Sequence, residues 1–314
     1  MTSDPSFLEE SLDRELHQPL SMSRTLFSRG MTVVAFALTA VALVPLFAIL
    51  FEILRQGLGQ LKWEVLVSLP APVGVKDRAN GFANAILGTL MMVGLACLLS
   101  VPLGMMTGIF LAEFGKNSAI ARAIRFITVI LSSVPSIVVG VFAYGVIVTT
   151  KIPIHIPLWN LTIQIGGFSA LAGGFALGII MLPIVALSTE EALKLVPTPH
   201  RLASAALGVG RFQTIFRIVV TAALPGITTG ILLAVARAAG ETAPLVFTAL
   251  SSQFWPQGLF SPTPSLSVLI FSYASSPFKE QNQLAWTASI VLIGIVLVSS
   301  ILSRQVTHKR LKIR

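Results

Sequence analysis

Six long apolar runs set the pattern of the chain, at about 31–54, 84–113, 126–149, 166–187, 224–250 and 284–303. Each is long enough for the roughly 20 helical residues that cross a bilayer's hydrocarbon. In hydrocarbon every backbone N–H and C=O must be satisfied within the segment, so each run is expected as a helix. The predicted fold is an all-α membrane protein with six transmembrane helices. Residues 1–30 read as a polar N-terminal tail, 31–303 as the transmembrane domain and 304–314 as a short basic tail.

Breaks inside the runs refine this picture. Pro102-Leu103-Gly104 predicts a kink in the second span. Ser132-Ser133-Val134-Pro135-Ser136 lies near the middle of the third, where the hydroxyls either line a polar path or repair the ladder that Pro135 interrupts. In the fourth, Gly166, Gly167, Gly173, Gly174 and Gly178 permit close helix approach. Residues 151–165 read as a Pro-containing loop. The apolar piece 266–273, within the loop 251–283, is expected to lie in the interface or dip back into the protein.

Charge then orients the spans. With both termini in the cytosol, the inner tails and loops hold fifteen Lys and Arg, among them Arg24, Arg122, Arg125, Lys194, Arg201, Arg211 and Arg217. The outer loops hold six: Arg55, Lys62, Lys76, Arg78, Lys151 and Lys279. This asymmetry satisfies the positive-inside rule, and the opposite orientation inverts it. The same distribution argues against nucleic-acid binding, because the net charge of +9 follows topology instead of forming a stripe. Only 11% of residues are charged, against about 25% in soluble domains. The single cysteine, Cys97, excludes an intrachain disulfide. Residues 1–30, polar and mixed in charge, carry no pattern of a cleaved signal.

Catalytic motifs are missing. No Gly-rich run ends in Gly-Lys-Ser/Thr, no nucleophile elbow or His-Glu-x-x-His occurs, and His17, His155, His200 and His308 are scattered over tails and loops. The reading is a conduit, not an enzyme, with no cofactor or metal of its own. Its chemistry rests on Ala236-Arg237-Ala238-Ala239-Gly240-Glu241-Thr242-Ala243-Pro244, which sets a charge pair about midway in the fifth span. No other charge lies between Arg217 and Lys279. On a helix Arg237 and Glu241 share a face one turn apart. An ionisable side chain at that depth costs about 2.5–3.5 kcal/mol even on lenient scales and marks a solute path or a structural ion pair.

The inner loop 189–217 carries a second signal. Pro197-Thr198-Pro199 opens a short helix over Arg201-Leu202-Ala203-Ser204-Ala205-Ala206-Leu207, closed by Gly208 and Gly210. An amphipathic helix follows, with Phe212, Ile215, Phe216 and Val219 on one side, expected to lie toward the membrane. A short helix held out between spans suits docking into a groove on another protein.

This loop resembles that of the permease subunits of type I ABC importers, which carry Glu-Ala-Ala, a spaced Gly and a later Ile. Gly208 and Ile218 match that spacing, Leu202-Ala203-Ser204 stand at the Glu-Ala-Ala position and Thr221 at that of a Pro. The missing glutamate removes a charged docking contact but not the helix. Closer still is the PstA-type permease of phosphate-specific systems. That likeness rests on Glu191-Ala192-Leu193, Val134-Pro135-Ser136, Tyr273-Ala274-Ser275-Ser276-Pro277 and above all 234–250, and covers roughly 80–303.

The resemblance implies the permease fold with a cytosolic coupling helix in a prokaryotic plasma (inner) membrane. It implies partners: a second, PstC-type permease, a homodimeric PstB-type ATPase that uses the ATP, a PstS-type phosphate-binding protein outside, inorganic phosphate and membrane lipid. Arg237, Glu241 and Thr242 would line the substrate path. Rival readings are a permease for molybdate, tungstate or sulfate, an ion-coupled secondary anion carrier, and a non-transporting scaffold. Absence of internal repeats weighs against the carrier. Cysteine labelling at position 194 is expected to report the cytosol and at position 279 the outside. A cytosolic position 279 would overturn the topology.

Overall fold

The computed structural model describes residues 22–74, 79–115, 118–150, 152–156 and 161–312. Residues 1–21, Lys76-Asp77-Arg78, Lys116, Lys151 and Arg314, on which parts of the tail and charge readings fall, lie outside the described residues. The chain divides into two compact units, Met1–Glu52 and Ile53–Arg314. The first holds most of α1 (Met22–Gly57), which begins inside the stretch expected as a tail. Its window of highest hydropathy has no buried residue.

In the second unit α2 (Trp63–Val67) precedes α3 (Ala83–Ile109), which continues into a π-helical turn, Phe110–Phe114. Pro102 sits within α3 without breaking it. Next come α4 (Ala119–Ser133) and α5 (Ser136–Ala143), the latter extended by the π turn Tyr144–Val148. An antiparallel hairpin of β1 (Ile152–Ile156) and β2 (Leu161–Ile165) pairs Ile152 with Ile165 and Ile156 with Leu161. It stands where a loop is predicted; the alternation in Leu-Thr-Ile-Gln-Ile suits a strand.

The chain continues through α6 (Ala170–Lys194), α7 (Thr198–Ala206) and α8 (Arg211–Thr214), the last followed by the π turn Ile215–Val219. The remaining helices are α9 (Val220–Gly240), α10 (Ala243–Thr248), α11 (Leu266–Ala274) and α12 (Lys279–Lys312). Among the described residues, five helices or helical runs are long and apolar enough to span a membrane. The third expected span is no single helix: α4 and the α5 segment bend by 102° at Val134-Pro135. Pro135 lacks the N–H that would continue the ladder, and α4 stops before it. The hydroxyls of Ser132 and Ser133 both donate to the Val129 carbonyl, at 2.7 and 3.1 Å, so they serve the end of their own helix.

The core is built on α3 against α6. A Cβ on Gly173, Gly174 or Gly178 of α6 would meet Met92, Leu95 or Leu99 within 2.9 Å. Further along the glycines change sides: on Gly104 and Gly108 of α3 a Cβ would meet Val185, and Ala186 with Thr189. Rising numbers thus pair with rising numbers, and the two helices run parallel. Chain that leaves the end of one and enters the start of the other must recross the layer, so the bent α4–α5 pair serves as one crossing. By contrast Gly226 and Gly230 of α9 face Ala192 and Ser188 in reverse order, so α9 runs antiparallel to α6.

At the other end of α3 and α6, the segment 251–265 closes over the helix starts. The first N–H groups of α6 donate to Ser261 and Leu259 carbonyls at 3.2 and 2.9 Å, and the Asn84 amide donates to Ser252 and Phe254 carbonyls. The expected apolar piece, α11, dips inward: Leu266, Val268 and Leu269 are buried, and Leu266 and Leu269 pack with Phe82, Ala85 and Ala288. Its anchor is local, since the Leu266 N–H donates to Thr89 Oγ1 at 2.9 Å and a Cβ on Gly88 would lie 2.0 Å from the Pro264 carbonyl oxygen.

Gly88→Ala is therefore expected to cost about 1–3 kcal/mol of stability by overpacking. Gly94→Ala, where a Cβ meets nothing within 4 Å, should match or exceed wild type. Thermal unfolding of the purified protein in detergent measures both. Equal midpoints for the two variants would contradict the packing.

Candidate functional site

The fifth span ends earlier than its apolar run predicts. Helix α9 stops at Gly240, because Pro244 has no N–H to continue the ladder and its ring would collide with the Gly240 carbonyl. Arg237 therefore stands in the last turn of the helix, not midway. Glu241 has left it (φ −72°, ψ 126°), and the short α10 starts after Thr242. The pair still forms: Arg237 Nε donates to Glu241 Oε1 at 3.3 Å. Its members are unequal, with the Arg237 side chain 51% exposed and that of Glu241 16%.

Neighbouring elements hold the break open. Ser267 Oγ donates to the Glu241 carbonyl at 2.9 Å, and Thr242 Oγ1 donates to the Ser267 carbonyl at 3.4 Å. Behind α10, Gly140 of α5 lies so close that a Cβ would reach 2.6 Å from Pro244 Cα. Freed backbone at membrane depth is thus answered by side chains and by an adjoining helix. The result is a discontinuous helix presenting one half-exposed guanidinium. Such a group attracts anions but offers no acid–base or nucleophilic step. Among the described residues no cluster of His, Cys, Asp or Glu is placed to hold a metal ion.

The second station is the stretch between α6 and α9. Helix α7 runs from Thr198, with Pro197 at its cap and Pro199 in its first turn, and ends at Ala206. Gly208 takes φ +73°, which turns the chain into α8. Leu202, Ala203, Ala205, Ala206, Leu207, Gly208 and Gly210 are exposed; Leu202 and Leu207 are large apolar groups left uncovered. Ser204 is buried, its hydroxyl 2.8 Å from that of Thr214, which locks α7 to α8.

Two expectations change here. The amphipathic piece after Gly210 is no separate interfacial helix: Arg211–Gly240 is continuous helix, with Ile215 and Val219 buried and Phe212 exposed. Arg201, expected on the docking face, turns inward. Its Nη2 donates to Glu113 Oε1 at 2.6 Å and to the Leu193 carbonyl at 3.0 Å, and its Nη1 donates to the Val196 carbonyl at 2.6 Å. Arg211 donates to the Glu113 carbonyl and lies over the Phe114 ring.

Sequence reasoning passed over Glu113 and Glu190. Glu190 is buried and receives Arg125 at 2.5 Å and Lys194 at 2.6 Å, fixing α4 to the end of α6. Both carboxylates stand at the end of an apolar run with Lys a few residues on, Lys116 after Glu113 and Lys194 after Glu190, and that position was the available signal.

The family described as "Binding-protein-dependent transport system inner membrane component" matches residues 100–312. The phosphate transport system permease protein PstA of Yersinia pestis is 40% identical over 278 residues, 88% of this chain and 89% of that protein. A probable PstA of Methanocaldococcus jannaschii is 37% identical, covering 83% of this chain and 86% of that one. Among solved structures, a bacterial alginate ABC transporter chain superposes with a TM-score of 0.60 at 14% identity, over 90% of this chain and 97% of that one. A chain of the MetNI methionine ABC transporter, in an inward-facing conformation, gives 0.55 at 17%, over 72% and 94%. These last two support the fold alone, an ABC-importer permease. With a broken, charge-bearing helix and a short exposed helix between α6 and α8, the chain belongs to the inner-membrane components of binding-protein-dependent transport systems, among the PstA-type permeases.

Proposed function

We propose that the chain is the transmembrane permease subunit of an ATP-driven importer for inorganic phosphate. The relatives' phosphate systems support the choice of substrate over other oxyanions. The observation that carries the mechanism is the half-exposed Arg237 beside a mostly buried Glu241 at a break in an apolar helix. A guanidinium left facing lipid is costly, so its open side looks onto water or a second permease. There it draws phosphate through charge-assisted, bidentate hydrogen bonds. Glu241 holds Arg237 while the site is empty and competes with the bound anion, which lets the ion leave.

The partners follow from that role. A PstS-type binding protein delivers phosphate at the outer loop 251–283, and a PstC-type permease completes the path. PstB-type ATPase subunits hydrolyse ATP and engage α7 through Leu202, Leu207 and the backbone around Gly208. Movement of α7 on ATP binding tilts the spans and turns the site from outside to inside. The chain itself binds no cofactor. Both of its ends lie in the cytosol.

Phosphate uptake normalised to assembled complex tests the reading. Arg237→Gln is expected to lose about tenfold or more, in line with roughly 1.5–3 kcal/mol for a charged hydrogen bond. Glu241→Gln should keep partial uptake. The double variant should assemble and still fail. Wild-type uptake in a well-assembled double variant would reduce the pair to a structural one and sink the proposal.

A further inference from the structure

We infer that the Glu113–Arg201 ion pair is the joint through which the docking helix α7 moves α3, and through α3 the anion site. The inference rests on the functional reading above. Chain connectivity links α7 back to α6 and forward to α8 and α9, and α7 packs onto α8 and the π turn Ile215–Val219. The end of α3 at Glu113 lies 88 residues back in the chain from Arg201. Arg201 ties α7 to it directly. A single guanidinium binds the Glu113 carboxylate on the π turn that ends α3 and two carbonyls at the end of α6.

The geometry is that of a transmitting contact. Glu113 is 7% exposed and Arg201 20%, so water screens their attraction little. Arg211 adds a second bond, to the Glu113 carbonyl. Glu113 also sits in a π turn, Phe110–Phe114, a form found where helices carry function. Beside the pair is a cavity of about 340 Å³, lined by Ala205, Val209, Thr214 and Ile215 as well, which gives the joint room to shift.

From the joint the route continues without a gap. Helix α3 is held against α6 by glycine contacts along its length, so it shifts as a rod. At its far end Gly88 abuts Pro264, and Thr89 accepts from the Leu266 N–H at the start of α11. On α11, Ser267 bonds the Glu241 carbonyl and Thr242 at the break beside Arg237. A push on α7 thus reaches the anion pair from the outer side through α3 and α11, as well as along α9. Two inputs to the two ends of the α9–α10 break would open it asymmetrically.

The test uses the complete complex in vesicles and reads phosphate moved per ATP hydrolysed. Glu113→Gln keeps shape and an acceptor oxygen but removes the charge. It is expected to retain the ATPase subunit and its hydrolysis while the transport ratio falls about tenfold, within the usual range of coupling between sites. Glu113→Asp, which keeps the charge at shorter reach, should show a smaller fall. A wild-type ratio in an assembled Glu113→Gln complex overturns the inference. Should Glu113→Gln fail to assemble, Glu113→Asp decides: a lowered ratio supports the joint and an unchanged one removes it. Failure of the functional reading shows separately, as no ATP-dependent uptake by the unmutated complex.

Discussion

The close, parallel contact of α3 with α6 is the constraint on which the rest depends. In lipid, helices gain little from hiding apolar surface from one another, so packing and small residues decide which pairs hold. Glycines on α6 at one end and on α3 at the other let two long helices touch along most of their length. That contact fixes direction: two parallel neighbours require one crossing between them, and the bent α4–α5 segment takes it. The contact also stacks the two helix starts side by side, where the segment 251–265 caps both and seats α11. The Arg237–Glu241 pair inherits its position from this stack, since Ser267 of α11 holds the backbone at Glu241.

Charge is used sparingly, and each buried carboxylate has a local task. Glu190 ties α4 to α6, Glu113 ties α7 and α8 to α3, and Glu241 restrains Arg237. Removing one partner of a buried pair leaves an unmatched charge at a cost of about 3–5 kcal/mol. The first two pairs lie at the end of the helices that carries α7, where the proposed ATP-driven push arrives. Lys194 and Arg237 both stay half exposed, at 54% and 51%, and of the two Arg237 stands beside a break in an apolar helix.

Much of this was legible in the chain. Apolar run length gave the number of crossings, and the Arg237–Glu241 spacing gave the ion pair. Pro197, Gly208 and Gly210 gave the inner helix. What escaped depends on contacts between residues distant in sequence or on backbone geometry at proline. Hydropathy stays high across Gly240 and Pro244, so the fifth span read as continuous to 250 although Pro244 cannot extend the helix. The 102° bend at Val134-Pro135 was equally invisible to hydropathy. Arg201 was assigned to the docking face because a short amphipathic helix offers no local reason for it to point inward. The reason is Glu113, brought near only by the α3–α6 packing.

In the proposed reading the chain moves phosphate only as an alternating-access permease within an ATP-driven assembly. Reconstitution in proteoliposomes tests it directly, comparing the chain alone under an imposed proton or sodium gradient with the chain joined to its second permease, ATPase and binding protein. Phosphate should accumulate only in the complete assembly, only with ATP present, and not with a non-hydrolysable analogue. Gradient-driven phosphate uptake by the chain alone, without ATP, would contradict the account.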